Sequence, residues 1–273
     1  MTLNCKGNLI DLTSPKVMGI LNITPDSFYD GGKYNTDDLI LEQTEKMLSE
    51  GATFIDLGAY SSRPGAKDIS EEEELKRIEP VVKLLLNHFP ELLLSIDTFR
   101  SNVAKRGLDM GAAMINDISG GDLDAKMLPT MAQYQAPYIL MHMKGNPQNM
   151  SNNTNYKKFL EEILFYFSEK IAKAVSLGIR DIVIDPGFGF AKNTSQNFEL
   201  LKNLNLLKTF RLPILAGISR KSMIYKTLEV RAKDALNGST ALHMVALNGG
   251  ANILRVHDVK EAVECVKLYN ALQ

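Results

Sequence analysis

Short runs of aliphatic and β-branched residues alternate along the chain with longer stretches whose apolar positions recur every three or four residues. Eight runs read as strands: Val17 to Leu21, Thr53 to Leu57, Leu92 to Ile96, Ala113 to Ile115, Tyr138 to Met141, Asp181 to Ile184, Ile214 to Ala216 and Asn252 to Leu254. Between them, helices are predicted over about Asp37 to Glu50, Ser101 to Met110, Leu123 to Gln133 and Tyr156 to Leu177, with a final helix from about Val259 to Asn270. Another opens on a capping box, Ser70 with Glu73, and carries Pro80 inside it, where a kink or break is expected. Gly51, Gly111, Gly178 and Gly249 each stop a helix just before the next strand. Lys144 to Asn155 is polar and without period, and is expected to be a mobile loop. Eight strand–helix alternations in roughly 250 residues are the grammar of an α/β fold of the (β/α)8 TIM-barrel type, here one domain over residues 1–273. A doubly wound open sheet is the competing architecture, but the G-x-G-x-x-G that would open its first helix is missing after the first strand.

Composition narrows the partners. With 31 basic against 32 acidic residues, neither a nucleic acid nor a membrane surface has an electrostatic footprint to meet. No apolar run approaches the ~20 residues of a membrane helix. The two cysteines, Cys5 and Cys265, cannot staple a framework, and residues 1–7 lack the apolar core of a signal peptide. A soluble cytoplasmic protein is expected.

The strand ends hold the chemistry. In a barrel these ends converge on one face. They offer Asn22, Gly58 with the Arg63 loop, Asp97, Asn116, Met141 with His142, Asp185, Lys221, and Arg255 with His257. Each alone has a plain structural explanation: Asp97 and Asn116 can cap the following helix, and Arg255 can be a solvated rim charge. Together on one rim they would be costly without a ligand. Asp97, Asn116, Asp185 and Lys221 suit a flat heterocycle with amide and guanidine-like edges, and Arg255 has a planar face to stack on it. Arg63 and His257, with the Ser219 turn, suit phosphate groups. The four histidines show no zinc spacing, whereas Asn22 is adequate for Mg²⁺ held mostly by a phosphorylated substrate.

Seven motifs, in order and each at a predicted strand end, resemble the single-domain bacterial dihydropteroate synthases along nearly the whole chain. They are residues 18–28 (MGILNITPDSF), 62–65 (SRPG), 95–98 (SIDT), 115–120 (INDISG), 185–190 (DPGFGF), 217–222 (GISRKS) and 255–258 (RVHD). The resemblance implies a transferase barrel that joins 6-hydroxymethyl-7,8-dihydropterin diphosphate to p-aminobenzoate, releasing pyrophosphate, in folate synthesis. It implies a pterin site of Asp97, Asn116, Ile118, Met141, Asp185, Phe190, Gly217, Lys221 and Arg255. Asn22, as Mg²⁺ ligand, Ser62, Arg63, Arg255 and His257 would hold the diphosphate. Phe28, Ser62, Pro64, Phe190, Lys221 and Ser222 would hold p-aminobenzoate. Asp97, Asp185, Lys221 and Arg255 carry the catalytic roles, and a homodimer is expected through the last helices. Two departures stand out: Gly58-Ala59-Tyr60-Ser61-Ser62 where the family commonly has Gly-Gly-Glu-Ser-Thr, and Tyr29 for a usual serine.

Loss of diphosphate from an electron-rich dihydropterin suggests an S_N1-like path, with no protein nucleophile. Three alternatives remain open: a corrinoid-dependent methyltransferase barrel, a class I aldolase with Lys221 as Schiff base and Arg220 lowering its pKa, and a non-catalytic pterin binder.

Overall fold

The computed structural model describes residues 1–23, 36–61 and 68–273. A short antiparallel hairpin, β1 (Thr2–Cys5) and β2 (Asn8–Asp11), comes first. Eight parallel strands follow: β3 (Lys16–Asn22), β4 (Phe54–Gly58), β5 (Leu94–Asp97), β6 (Met114–Asp117), β7 (Tyr138–Met141), β8 (Ile182–Asp185), β9 (Leu215–Ala216) and β10 (Ile253–Val256). The helices between and after them are α1 (Thr36–Ser49), α2 (Glu71–His88), α3 (Ser101–Asp109), α4 (Met127–Tyr134), α5 (Phe159–Ser176), α6 (Thr194–Lys202), α7 (Ser222–Thr227), α8 (Leu236–Asn248) and α9 (Val259–Ala271).

The strands run in the order β8-β7-β6-β5-β4-β3-β10-β9. An Ile184–Ile214 bridge and the Ile184 amide donating to Pro213 O at 2.9 Å join the two ends, so the sheet closes into a barrel rather than an open doubly wound layer.

Side chains alternate along each strand. One set, including Val17, Ile55, Leu57, Ile96, Ile115, Leu140, Ile184 and Leu254, packs outward under the helices. The other, Met18, Phe54, Met114, Ile139, Val183, Leu215 and Ile253, fills the interior together with Leu3, Cys5 and Leu12. Both faces are therefore buried, which is why the strands read as continuous apolar runs. The hairpin, absent from the sequence reading, plugs the N-terminal end of the barrel. Its turn at Lys6 (φ 56°) and Gly7 (φ 87°) has the left-handed backbone that tight hairpins need.

Several expected boundaries shift. α2 runs unbroken through Pro80, whose exposed position leaves the Lys76 carbonyl, deprived of its helical donor, on the solvent side. The capping box at Ser70 is half made: Ser70 Oγ accepts from the Glu73 amide at 3.2 Å, while the Glu73 carboxylate pairs with Arg77 at 2.7 Å. A complete box forms instead at Asn193 and Gln196. After α8 it is Gly250 (φ 102°), not Gly249, that takes the left-handed conformation. Helix α4 begins only at Met127, because Asp124 accepts from the Ser101 and Lys126 amides and holds the preceding residues in a turn. The 144–155 segment is an ordered connection, with a 3-10 turn at Met150–Asn152, Asn149 bonded to Asn146 and Asn153, and Met150 buried.

Candidate functional site

The inward-facing column that is apolar low in the barrel turns polar at its C-terminal end. Asn22, Gly58, Asp97 and Asn116 lie side by side in register across β3 to β6, and Met141 pairs with Asp185 across β7 and β8. Gly58 makes this closeness possible: a Cβ there would lie 3.3 Å from Asn22 Oδ1 and 3.5 Å from the Asp97 Cβ.

Arg255, from β10, reaches across the mouth. Its Nε donates to Asp56 Oδ2 at 2.5 Å and its Nη2 to Asp97 Oδ2 at 2.7 Å. Asn116 Nδ2 donates to the same Asp56 oxygen at 2.9 Å. Burial alone would lower the Arg255 pKa, but Asp56 and Asp97 outweigh it and hold the guanidinium protonated well above its ordinary range. Burial, then the charges of Asp56 and Glu74, push Asp97 up to about 7 against the pull of Arg255. Asp56 was not among the sequence candidates. A lone acid inside the otherwise apolar run Phe54–Leu57 was the available signal, since a carboxylate in a strand buried on both faces needs a partner.

Across the mouth, Asp185 accepts from the Gly187 amide at 2.7 Å, and burial raises its pKa against the attraction of Lys221. Gly187 (φ 69°) cannot be replaced: a Cβ there would collide with the carbonyl oxygen of His142. Lys192, also missed, secures this turn from behind. Its buried amine contacts His142 Nδ1 at 2.9 Å and donates to the Gly187 and Phe190 carbonyls at 2.9 and 3.0 Å. Burial drives both Lys192 and His142 far below their usual pKa values. The Lys221 amine donates to the Phe188 carbonyl and sits 4.7 Å from the Phe190 ring centroid. Burial lowers it to about 8, with Asp185 opposing. Arg220 plays no part in that shift; its guanidinium is bound to Asp258 at 2.7 and 2.8 Å. Asp117, next to Asn116 but facing outward, serves the fold by accepting from Tyr138, Ser119 and Gly121.

Above these groups opens a cavity of about 1020 Å³. Of the sequence candidates, Asn22, Asp97, Phe190, Gly217, Lys221, Ser222, Arg255 and His257 line it. Asn116 and Asp185, 3% and 5% exposed, form the layer just below. Ile118 and Met141 join Met143, Met150 and Ala191 in a small apolar cluster against Phe190. Ser219 Oγ accepts from the His257 amide and exchanges a second hydrogen bond with the ring Nδ1, both at 3.2 Å. Phe28, Tyr29, Ser62, Arg63 and Pro64 lie outside the described residues.

Tyr60, one of the departures, lines the cavity as part of an interlock that the sequence did not reveal. Its ring meets Phe99 edge-on at 5.0 Å, and its hydroxyl accepts from Gln148 Nε2 at 2.5 Å. The Arg100 guanidinium lies 5.4 and 5.0 Å from the Tyr60 and Phe99 ring centroids and pairs with buried Glu74 at 2.5 Å. Three strand-to-helix connections thus brace one another on this wall.

The family profile described as "Pterin binding enzyme" matches residues 18–257. The dihydropteroate synthase of Escherichia coli is 43% identical over 273 residues, covering 99% of this chain and 96% of its own. The Yersinia pestis dihydropteroate synthase, solved with a sulfonamide drug, superposes with a TM-score of 0.93 at 43% identity, over 100% of this chain and 99% of that one. The Xanthomonas albilineans enzyme in complex with 7,8-dihydropteroate gives 0.89 at 36% identity, over 100% and 99%.

Proposed function

The chain belongs to the pterin-binding enzymes, and from that premise we propose how its cavity performs the dihydropteroate synthase reaction. The reaction is the condensation of 6-hydroxymethyl-7,8-dihydropterin diphosphate with p-aminobenzoate to give 7,8-dihydropteroate and pyrophosphate. It is a transferase step of folate synthesis. The observation that carries the assignment of parts is the register that levels Asn22, Asp97 and Asn116 on β3, β5 and β6, with Arg255 reaching over them and Asp185 and Lys221 opposite.

In this reading the pterin edge lies against Asn116 and Asp185. The buried Oδ1 of Asn116 has no hydrogen-bond partner among the described residues, which suits a donor arriving with the ligand. Lys221, held near Phe190, donates to the ring's carbonyl side, and the Arg255 face covers the heterocycle. Ile118, Met141, Phe190 and Gly217 supply the apolar and close-packed walls. His257, with Ser219 behind it, points to the diphosphate end, to which Ser62 and Arg63 are assigned by motif. p-Aminobenzoate is assigned to Phe28, Ser62, Pro64, Phe190, Lys221 and Ser222, the last in the first turn of α7.

Among the described residues no three His, Cys, Asp or Glu side chains converge as metal ligands. A single amide oxygen, that of Asn22, fits a Mg²⁺ that arrives largely coordinated by phosphate oxygens. Such an ion would neutralise charge on the departing pyrophosphate. The chain's own groups do the rest. Asp97 and Asp185, once ionised, favour the positive charge that builds on the pterin methylene as the C–O bond breaks. The cavity then holds the aniline nitrogen against the methylene carbon. As the C–N bond forms, the nitrogen gives up one proton to the departed pyrophosphate or to water, so catalysis is positioning and charge stabilisation without a protein nucleophile.

Assembly as a homodimer through α8 and α9 belongs to the same reading, supported by exposed Val245, Leu268 and Leu272. Free, buried Cys5 and Cys265 support a cytoplasmic location. Among the described residues no helix is long and apolar enough to cross a membrane. The test is pyrophosphate release from the pterin diphosphate. Release that depends on p-aminobenzoate and yields dihydropteroate is expected; no release with both substrates and Mg²⁺ present would overturn the reading.

A further inference from the structure

We propose that Asp56 is a positioning residue for pterin recognition, one buried carboxylate that sets the orientation of both Arg255 and Asn116. The proposal rests on the reading of the cavity as a pterin site. Asp56 is fully buried on β4, one inward step below Gly58. A single oxygen, Oδ2, accepts from Arg255 Nε at 2.5 Å and from Asn116 Nδ2 at 2.9 Å.

Each bond removes a freedom the ligand site cannot tolerate. Asp56 Oδ2 already faces an Arg255 N–H as an acceptor, so the Asn116 amide turns its nitrogen, not its oxygen, to it. That leaves Oδ1, which has no partner among the described residues, as the amide's remaining atom. Asn116 is thereby made an acceptor, and the site selects a heterocycle that presents N–H groups on that edge. For Arg255, Asp56 holds Nε while Asp97 holds Nη2, so two of the three guanidinium nitrogens are tied within its plane. The plane then has one orientation across the barrel mouth, and its face is the part left to cover a ring. Without Asp56 the side chain would keep one tether and rotate about it. A carboxylate that served only stability would not need to contact two ligand-facing groups at once, because a buried ion pair is a poor source of stability compared with apolar packing.

The test is Asp56→Asn, an isosteric change that removes the charge and one acceptor, measured by calorimetry with the pterin diphosphate and by steady-state kinetics. Expected is a tenfold or greater loss of pterin-diphosphate affinity, with KM for p-aminobenzoate within twofold of wild type. Combined with Arg255→Ala, the losses should fall short of multiplying by at least threefold, since Asp56 acts partly through Arg255. Losses that multiply fully, or a p-aminobenzoate KM that rises as much as pterin affinity falls, would overturn the proposal. If Asp56→Asn shows no cooperative melt, Asp56→Glu, which keeps the charge but displaces the oxygens by a methylene, takes its place; undiminished pterin affinity in that folded variant would equally overturn it. Wild-type protein that fails to bind the pterin diphosphate would remove the reading beneath the proposal and the proposal with it, an outcome distinct from an unaffected variant.

Discussion

The two ends of the barrel interior are built from the same strands and differ in kind. At the N-terminal end, Met18, Phe54, Met114, Ile139, Val183, Leu215 and Ile253 interlock with Leu3, Cys5 and Leu12 of the hairpin side. At the C-terminal end, two residues further along several of those strands, the inward positions become Asp56, Asn116, Asp185 and Arg255. The first end contributes stability by removing apolar surface from water. The second concentrates buried charge, which brings little net stability and demands that each group find a partner. One set of strands therefore separates folding from chemistry by a single turn of the pleat, and each end can be perturbed alone.

The largest effect should come from the apolar end. Phe54→Ala should lower unfolding stability by about 3–5 kcal/mol, read by denaturant titration. Below its melting temperature the variant should bind pterin diphosphate within a few-fold of wild type; loss of binding in the folded variant would break the division between the ends.

At the polar end, Arg255→Ala should weaken pterin-diphosphate binding about a hundredfold, or about 2.7 kcal/mol, in calorimetry. Unchanged affinity would remove Arg255 from the site. The sharper variant replaces the pair, Asp56→Leu with Arg255→Met. Asp97, already pushed up to about 7, can then take a proton instead of a partner. The melting temperature should stay within a few degrees of wild type, relief of the buried pair offsetting the cost of the Asn116 amide left without Asp56, while pterin binding disappears. A marked drop in melting temperature would mean that this end, too, is holding the fold together.

The pH profile follows from the same cluster. Asp97 is raised to about 7 and Lys221 lowered to about 8, so the form with Asp97 ionised and Lys221 charged prevails only between them. kcat/KM for the pterin diphosphate should rise toward pH 7, fall above pH 8, and change by about tenfold per unit outside those limits. Lys221→Arg should carry the alkaline limb out of range, and a limb that stays in place would assign it to another group. Smallest of all, Tyr138→Phe removes one donor from Asp117, at 2.6 Å, and leaves those of Ser119 and Gly121. It should cost about 1 kcal/mol of stability and nothing in pterin affinity, because that carboxylate faces away from the barrel.

Much of this was legible in the sequence because apolar runs buried on both faces are hard to read otherwise. Tyr138 to Met141 matched to the residue, and the motif opening at Asp185 exposed the geometry of its turn through Pro186 and Gly187. What escaped depended on contacts distant in sequence. The hairpin strands are four residues each, too short to establish a period. Asp56 is a single polar residue within an apolar run, and only β10 brings Arg255 to it, 199 positions away in sequence. Lys192 carried no motif of its own, and its role exists only because β7 places His142 alongside. Tyr60 registered as a departure, yet its meaning lies in Phe99, Arg100 and Gln148 on two other loops.

A crystal structure of this chain with 7,8-dihydropteroate bound decides where the ring sits. The pterin ring is expected under the Arg255 guanidinium, its N–H edge against Asn116 Oδ1 and the Asp185 carboxylate, and its aminobenzoate arm running out past Phe190 toward Ser222. A ring seated anywhere that leaves Asn116 and Asp185 untouched would contradict it.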